Sequence, residues 1–488
     1  MRVLAAILSI GLLVASSARA VDLTTADDWQ SIIQSGGTGV FYSVAAGTYT
    51  VTNTLFITNY ITISGNVDRT AVFSGGGTCP VIRSTGVGVW LIGLTIRDGD
   101  NADTNLFAAG GVSGKADGPG RTSVSNCAIS SNHFTGKSGN EAGGGAYFCN
   151  IFNSDVNGNV SGWNGGGVSF CAISNSSVFN NAATNGGGIY YSSAYSSIIR
   201  SNYCSASGGG AYAQNVLHLL ENTAVISNKS EYLGGGVYGL YGASNYIAYN
   251  TSTRNGPAAG GINGGSATNI IVEFNTATGG SSADGGGVLN ATLFDSIIRS
   301  NTCGRQGGGA REGTYTRCLF QGNWATNATG LGGGINTANA YDCIFDGNRA
   351  ASYPAANLAY NFQNCTFVNH TNDNTAVVQS SGNSYKMFNN LFWNPDAATN
   401  WFIGTTNAGC NYAGDPLWQS STNEWTPTST GAVDQADSTY TVGATDYYGN
   451  DRQVPDGSPD IGAVENQSTP EAPSASRRRF FWSMLLGD

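Results

Sequence analysis

Between residues 143 and 348 the apolar and polar positions recur in one fixed phase. Triple glycines stand at 143–145, 165–167, 186–188, 208–210, 234–236, 285–287, 307–309 and 332–334, with Gly260-Gly261 filling the gap, at spacings of 21 to 26 residues. The next residue is always small or aliphatic: Ala146, Val168, Ile189, Ala211, Val237, Ile262, Val288, Ala310 and Ile335. Fourteen residues beyond the last glycine stands an asparagine, at 159, 181, 202, 250, 275, 301, 323 and 348. One unit differs and reaches Asn228 after 18.

Three residues before each asparagine a second apolar row runs from Val156 and Val178 to Phe320 and Phe345, and two residues earlier a mostly small row runs from Ser154 to Cys343. Alternation with period two predicts short strands with these rows inside, and no helical period competes with it. A unit of this length cannot bury its own apolar face, so successive units must stack. The predicted fold class is all-β: a right-handed parallel β-helix of about a dozen coils, with turns made by glycine and asparagine.

The flanks read differently. Arg2, the apolar run Val3 to Val14 and Ala18-Arg19-Ala20 form a secretory signal over 1–20, so the expected location is extracellular or at a bacterial cell surface or outer membrane. Residues 21–92 are read as an N-terminal cap and first coils. There Thr24 or Thr25 would cap a short helix bearing Trp29, Ile32 and Ile33, with Asp27 and Asp28 at its positive end. Residues 93–414 form the repeat, 415–465 a closing segment that protects the last strand edges, and 466–488 a flexible tail ending in Arg477 to Arg479 and Phe480 to Leu486.

Composition sharpens this picture. The 70 glycines and low charge suit many tight turns, and the formal net charge of −10 argues against nucleic acid as a partner. No apolar stretch reaches the roughly 20 residues of a spanning helix, so no integral membrane domain is expected.

Taken with Gly93-Leu94-Thr95-Ile96-Arg97-Asp98-Gly99, the glycine step followed by Phe320-x-x-Asn323 or Phe345-x-x-Asn348 resembles polymorphic outer-membrane protein repeats, although most units here carry Val or Ile in place of Phe. Asp415-Pro416-Leu417, Gly449-Asn450-Asp451-Arg452 and Asp460-Ile461-Gly462-Ala463-Val464-Glu465 resemble the closing segment of choice-of-anchor β-helix proteins of the pectin-lyase-like superfold. That resemblance implies secretion or surface display and no particular reaction.

Candidate chemistry follows from position in the coil. Tyr147, Tyr190, Tyr212 and Tyr238 stand two residues after their glycines, with Ser169 between, and would line one outer face. They form either a platform for sugar rings of a polysaccharide or other cell-surface polymer, or a stack that only stabilises the ladder. Arg299, Arg305, Arg311 and Arg317 fall within one coil's length and would neutralise a uronate carboxylate if the chain were a polysaccharide lyase. Of a polygalacturonase-type hydrolase motif set only Asn153-Ser154-Asp155 is present, outside the cap's Asp27-Asp28. Asp98, Asp100 and Asp103 could hold calcium through oxygen ligands or be solvated turn residues. Cys149 and Cys171 stand one coil apart within disulfide range, while Cys127, Cys318, Cys343 and Cys365 read as small buried fillers. The leading expectation is non-catalytic binding of carbohydrate or another polymer. The alternatives are a polysaccharide lyase or hydrolase and a surface-layer spacer.

Overall fold

The computed structural model describes residues 20–102, 109–115, 120–136, 143–213, 217–358, 360–370, 377–379 and 386–393, and beyond these 402–403, 407–409, 411–413, 432, 435–436, 445–452 and 459–464. The signal lies almost wholly outside them, and the tail entirely so. The fold is an all-β parallel β-solenoid of about 14 turns with one short α-helix, matching a right-handed parallel β-helix. The chain divides into two compact units, residues 1–205 with 210–212, and residues 206–209 with 213–488.

In the first unit, strand Ala20–Leu23 pairs in parallel with Val40–Val44, and the helix Trp29–Ser35 lies between them in sequence. Trp29 and Ile33 are buried, and the Trp29 ring meets Tyr49 and Phe73 edge-on at 5.5 and 5.2 Å. The expected threonine cap is corrected. Asp28 occupies the N-cap position without a side-chain bond, whereas Thr24 donates its backbone N–H and hydroxyl to Asp27 at 2.7 and 2.9 Å, closing a turn before the helix.

Among the described residues, the coils up to Ala350 that follow the N-terminal ones carry three faces. In one coil face A is Ala146–Tyr147 and Cys149–Phe152, face B is Asp155–Asn157 and face C is Val160–Ser161. Each face pairs with its equivalent in the next coil, with Ala146 opposite Val168, Ile151 opposite Ile173 and Val156 opposite Val178. The two predicted apolar rows do point inward, and Ala146, Val168, Val156 and Val178 are fully buried.

The corners explain the polar residues. At the corner between B and C the Asn159 backbone and side-chain N–H groups donate to Asn181 Oδ1 at 2.9 and 3.0 Å, and Asn181 does the same to Asn202 at 3.0 Å. At the corner between A and B the small row acts as a second ladder, in which Ser154 N–H donates to Ser176 Oγ and Ser176 N–H to Ser197 Oγ. A buried polar ladder is tolerable because each member finds a partner in the next coil.

The interval of 14 residues has a direct cause. A Cβ on Gly145 would stand 2.9 Å from the Asn159 amide nitrogen and 2.7 Å from the Gly167 carbonyl oxygen, so the last glycine leaves room for the asparagine of its own coil. The first glycine is needed for another reason: Gly165 adopts φ +58°, and a Cβ there would meet the Val168 carbonyl.

The second unit repeats the scheme. Its ladder runs through Asn228, Asn250, Asn275, Asn301, Asn323 and Asn348, each donating to the next at 2.9 to 3.1 Å. Rings of Phe320, Phe345, Phe367 and Phe392 stack inside it at 4.9, 4.9 and 4.8 Å. The described part of the closing segment lies across the outside of face B, where the outward residues turn apolar. Tyr447, Ala463 and Val464 pack on Leu319 and Ile344, and Ile461 packs near Leu391. Its polar anchor is Arg452, which is 1% exposed, meets Asp342 at 3.0 Å and donates to the carbonyls of Gly462 and Ala463.

Candidate functional site

On face A of the first unit the strand bends at the third residue after the glycines. Phe148, Phe170 and Tyr191 occupy that position in consecutive coils with φ of 50°, 54° and 43°. Bulky residues rarely adopt positive φ, because Cβ then crowds the backbone. The bend makes two consecutive side chains project outward, so the aromatic residues meet in pairs along the face. Tyr147 and Phe148 centroids lie 4.5 Å apart, Phe148 and Phe170 stack at 5.1 Å, Phe170 and Tyr190 meet at 6.1 Å, and Tyr190 and Tyr212 stack at 5.1 Å. Arg121 stands 5.4 Å over the Phe148 ring while donating to the Phe170 carbonyl at 2.8 Å.

The tyrosine row therefore exists but is no open platform by itself. Tyr147 and Tyr190 keep 5% and 9% exposure because they sit against the glycine turn, where a Cβ on Gly186 would be 3.1 Å from Tyr190 Cβ. Phe148, Phe170, Tyr191 and Tyr212 are partly exposed and present the cluster to solvent. The sequence signal for the missed members was the aromatic residue directly after the tyrosine position. Tyr238, in the second unit, is partly exposed and is followed by Gly239 at φ 76°, so no second ring accompanies it at the bend.

The arginines do not converge as a cationic group; each is held by a carboxylate. Arg305 donates to both oxygens of fully buried Asp284 at 3.0 and 2.8 Å, and Arg311 pairs with the same carboxylate and with Glu312. The hydrogen-bonded Asp284 raises the pKa of Arg305 further, and Asp295 does so for Arg317, which it meets at 2.8 and 3.1 Å. Arg299 pairs with Glu273 on face B. Arg311 Nε nonetheless has no hydrogen-bond partner, nor does Asn336 Nδ2 or either amide atom of Asn357, and these three residues occupy one register row of face A.

The calcium candidates fall only partly within the described residues. Asp98 is engaged by the Ser74 hydroxyl at 3.2 Å and by Arg97 at 3.3 Å, Asp100 lies in the strand pairing with His133, and Asp103 falls outside the described residues. Among the described residues no three His, Cys, Asp or Glu side chains come together as a metal site.

Cys149 and Cys171 are both free buried thiols, which corrects the expected bridge. The Cys149 N–H donates to Cys171 Sγ at 3.3 Å, and the Cys171 N–H to Ser192 Oγ at 2.9 Å, so the sulfurs take the place of serine hydroxyls in a corner ladder. Cys127 and Cys318 behave likewise, and burial pushes the Cys127 thiol up to about 11.

No known protein family and no curated protein matches this sequence. Among solved structures it is similar in fold to pectate lyase Pel9A, at 11% identity over 93% of this chain and 98% of that one, with a TM-score of 0.23. A mannuronic acid specific family 6 polysaccharide lyase from human gut microbiota shares 10% identity over 80% of this chain and 91% of its own, with a TM-score of 0.33. A PL6 alginate lyase solved with a trisaccharide shares 12% over 83% and 86%, with a TM-score of 0.29.

Proposed function

We propose that this is an exported protein that binds polysaccharide along face A of its first unit, without needing to cleave it. The observation that carries the reading is the aromatic cluster of Phe148, Phe170, Tyr191 and Tyr212, kept partly exposed at the cost of positive φ in three coils. Aromatic faces suit the C–H faces of sugar rings, and the coil rise of about 4.8 Å repeats the same contact along an extended polymer. Asn150, Ser174 and Ser193 on the same face add hydrogen-bonding groups for hydroxyls.

The test is affinity electrophoresis of the chain through gels containing soluble neutral or uronate polysaccharides. Phe148→Ser, Phe170→Ser and Tyr191→Ser together should abolish retardation without loss of the cooperative thermal transition. Undiminished retardation in that variant would sink the reading.

A further inference from the structure

In the second unit the residue preceding each ladder asparagine turns the corner with positive φ. Ser227, Ser300, Gly322 and Gly347 do so at 55°, 52°, 60° and 57°, small or hydrogen-bonding residues of the kind such a corner favours. Two adjacent coils depart from this choice: Tyr249 and Phe274 take the same conformation at 56° and 53°. Their rings stack at 5.1 Å and 10°, nearly the geometry of the phenylalanines in the core, yet they are 53% and 42% exposed. The backbone is strained and the apolar surface stays in water, so neither local conformation nor burial accounts for the pair.

Its surroundings are polar on both flanks. Glu273, beside Phe274, is nearly buried, accepts from the Tyr246 hydroxyl at 2.5 Å and pairs with Arg299, so this flank carries a balanced ion pair. The Arg299 side chain remains 42% exposed. On the other flank Thr251 and Thr276 stand opposite one another on face C, both partly exposed. The coils beyond each outer ring face carry Ser227 and Ser300, which leaves those faces uncrowded. An exposed aromatic face rimmed by hydroxyls and a compensated charge pair matches a pyranose ring, apolar across its C–H face and hydroxylated around its edge.

We infer that Tyr249 and Phe274 form a sugar-binding subsite at the corner of faces B and C in the second unit, specific for neutral pyranose rings of a polysaccharide. The inference shares its ligand class with the proposed function but rests on different residues and a different face.

The experiment compares three full-length proteins by affinity electrophoresis in a neutral glucan, a galactomannan and alginate, with thermal unfolding recorded for each. They are the wild type, the triple serine variant of Phe148, Phe170 and Tyr191, and Tyr249→Asn/Phe274→Asn. Asparagine relieves the corner strain, so the double variant should unfold at the same or higher temperature while binding a neutral glycan about tenfold more weakly, the loss of one modest stacking contact. Unchanged glycan binding in the double variant overturns the subsite, as does a lowered unfolding temperature with binding retained, which would make the pair a structural stack. Loss in the double variant but not in the triple variant would keep this subsite and discard the first-unit site. A wild type that binds none of the three polymers removes both.

Discussion

Asn275 illustrates how much rests on one side chain. Its amide accepts two bonds from Asn250, donates to Asn301 and donates to the Ile247 carbonyl, all buried, so alanine there takes partners from groups in both neighbouring coils. Asn275→Ala should lower unfolding free energy by about 3 kcal/mol in chemical denaturation. Histidine 370 follows Asn348 at the ladder position of the next coil, fully buried, with Nδ1 3.5 Å from the Asn348 carbonyl. Burial depresses its pKa from 6.5 to about 4. The folded state then binds fewer protons than the unfolded state, so the stability this group confers is complete above about 6.5 and is lost as pH falls towards 4. His370→Gln should flatten that acid limb in denaturation curves taken from pH 7 to 4; an unchanged limb would assign it to other groups. Ladder residues were legible in the sequence because they recur in phase. The hydrogen-bonding purpose of the serine and cysteine row was not, since small size alone predicts an inward position and says nothing of what the side chain accepts.

At the scale of elements, the faces and their register could be read from period-two alternation, while the bend in face A could not. Positive φ is ordinarily announced by glycine or asparagine, and Phe148, Phe170 and Tyr191 announce nothing. The same opacity hid the true seat of the closing segment. Ile297, Leu319, Ile344 and Leu391 on the outward side of face B are the apolar surface it covers, but they alternate with inward residues and read simply as strand. The buried pair Arg452 and Asp342 fixes that seat. Arg452→Ala strands a buried carboxylate and should weaken the fold by about 3 to 5 kcal/mol. Limited proteolysis should then cut first within 446–464, and the further change Asp342→Asn should recover part of the loss. Equal protease resistance in the single variant would show that apolar contacts alone hold the segment.

For the whole molecule, repetition made the fold class readable and the function obscure. A solenoid announces itself through the interval that its interior requires, here glycine to asparagine, while the variable part between asparagine and the next glycine carries no common signal. The exposed aromatic residues can be seen in the sequence, but that they point outward is visible only once the corner conformation is known. This is why the tyrosine row could be named from sequence, whereas its outward partners and the Tyr249–Phe274 pair could not.

The asparagine ladder also has a direction. Each ladder asparagine gives its backbone N–H and one side-chain N–H to the oxygen of the following coil and its other side-chain N–H back to a carbonyl of the preceding coil, as Asn275 does to Asn301 and Ile247, so a cut through the stack creates two unlike surfaces. Shortening from the N-terminal side leaves one ladder oxygen without its two donors and one amide N–H without its carbonyl; shortening from the C-terminal side leaves two N–H groups without their acceptor, the more costly deficiency, and one carbonyl without its donor. A chain trimmed coil by coil should therefore tolerate loss from its beginning better than from its end, and growth of such a protein by duplication of coils is favoured where the terminating residue after Asn348 is kept in place.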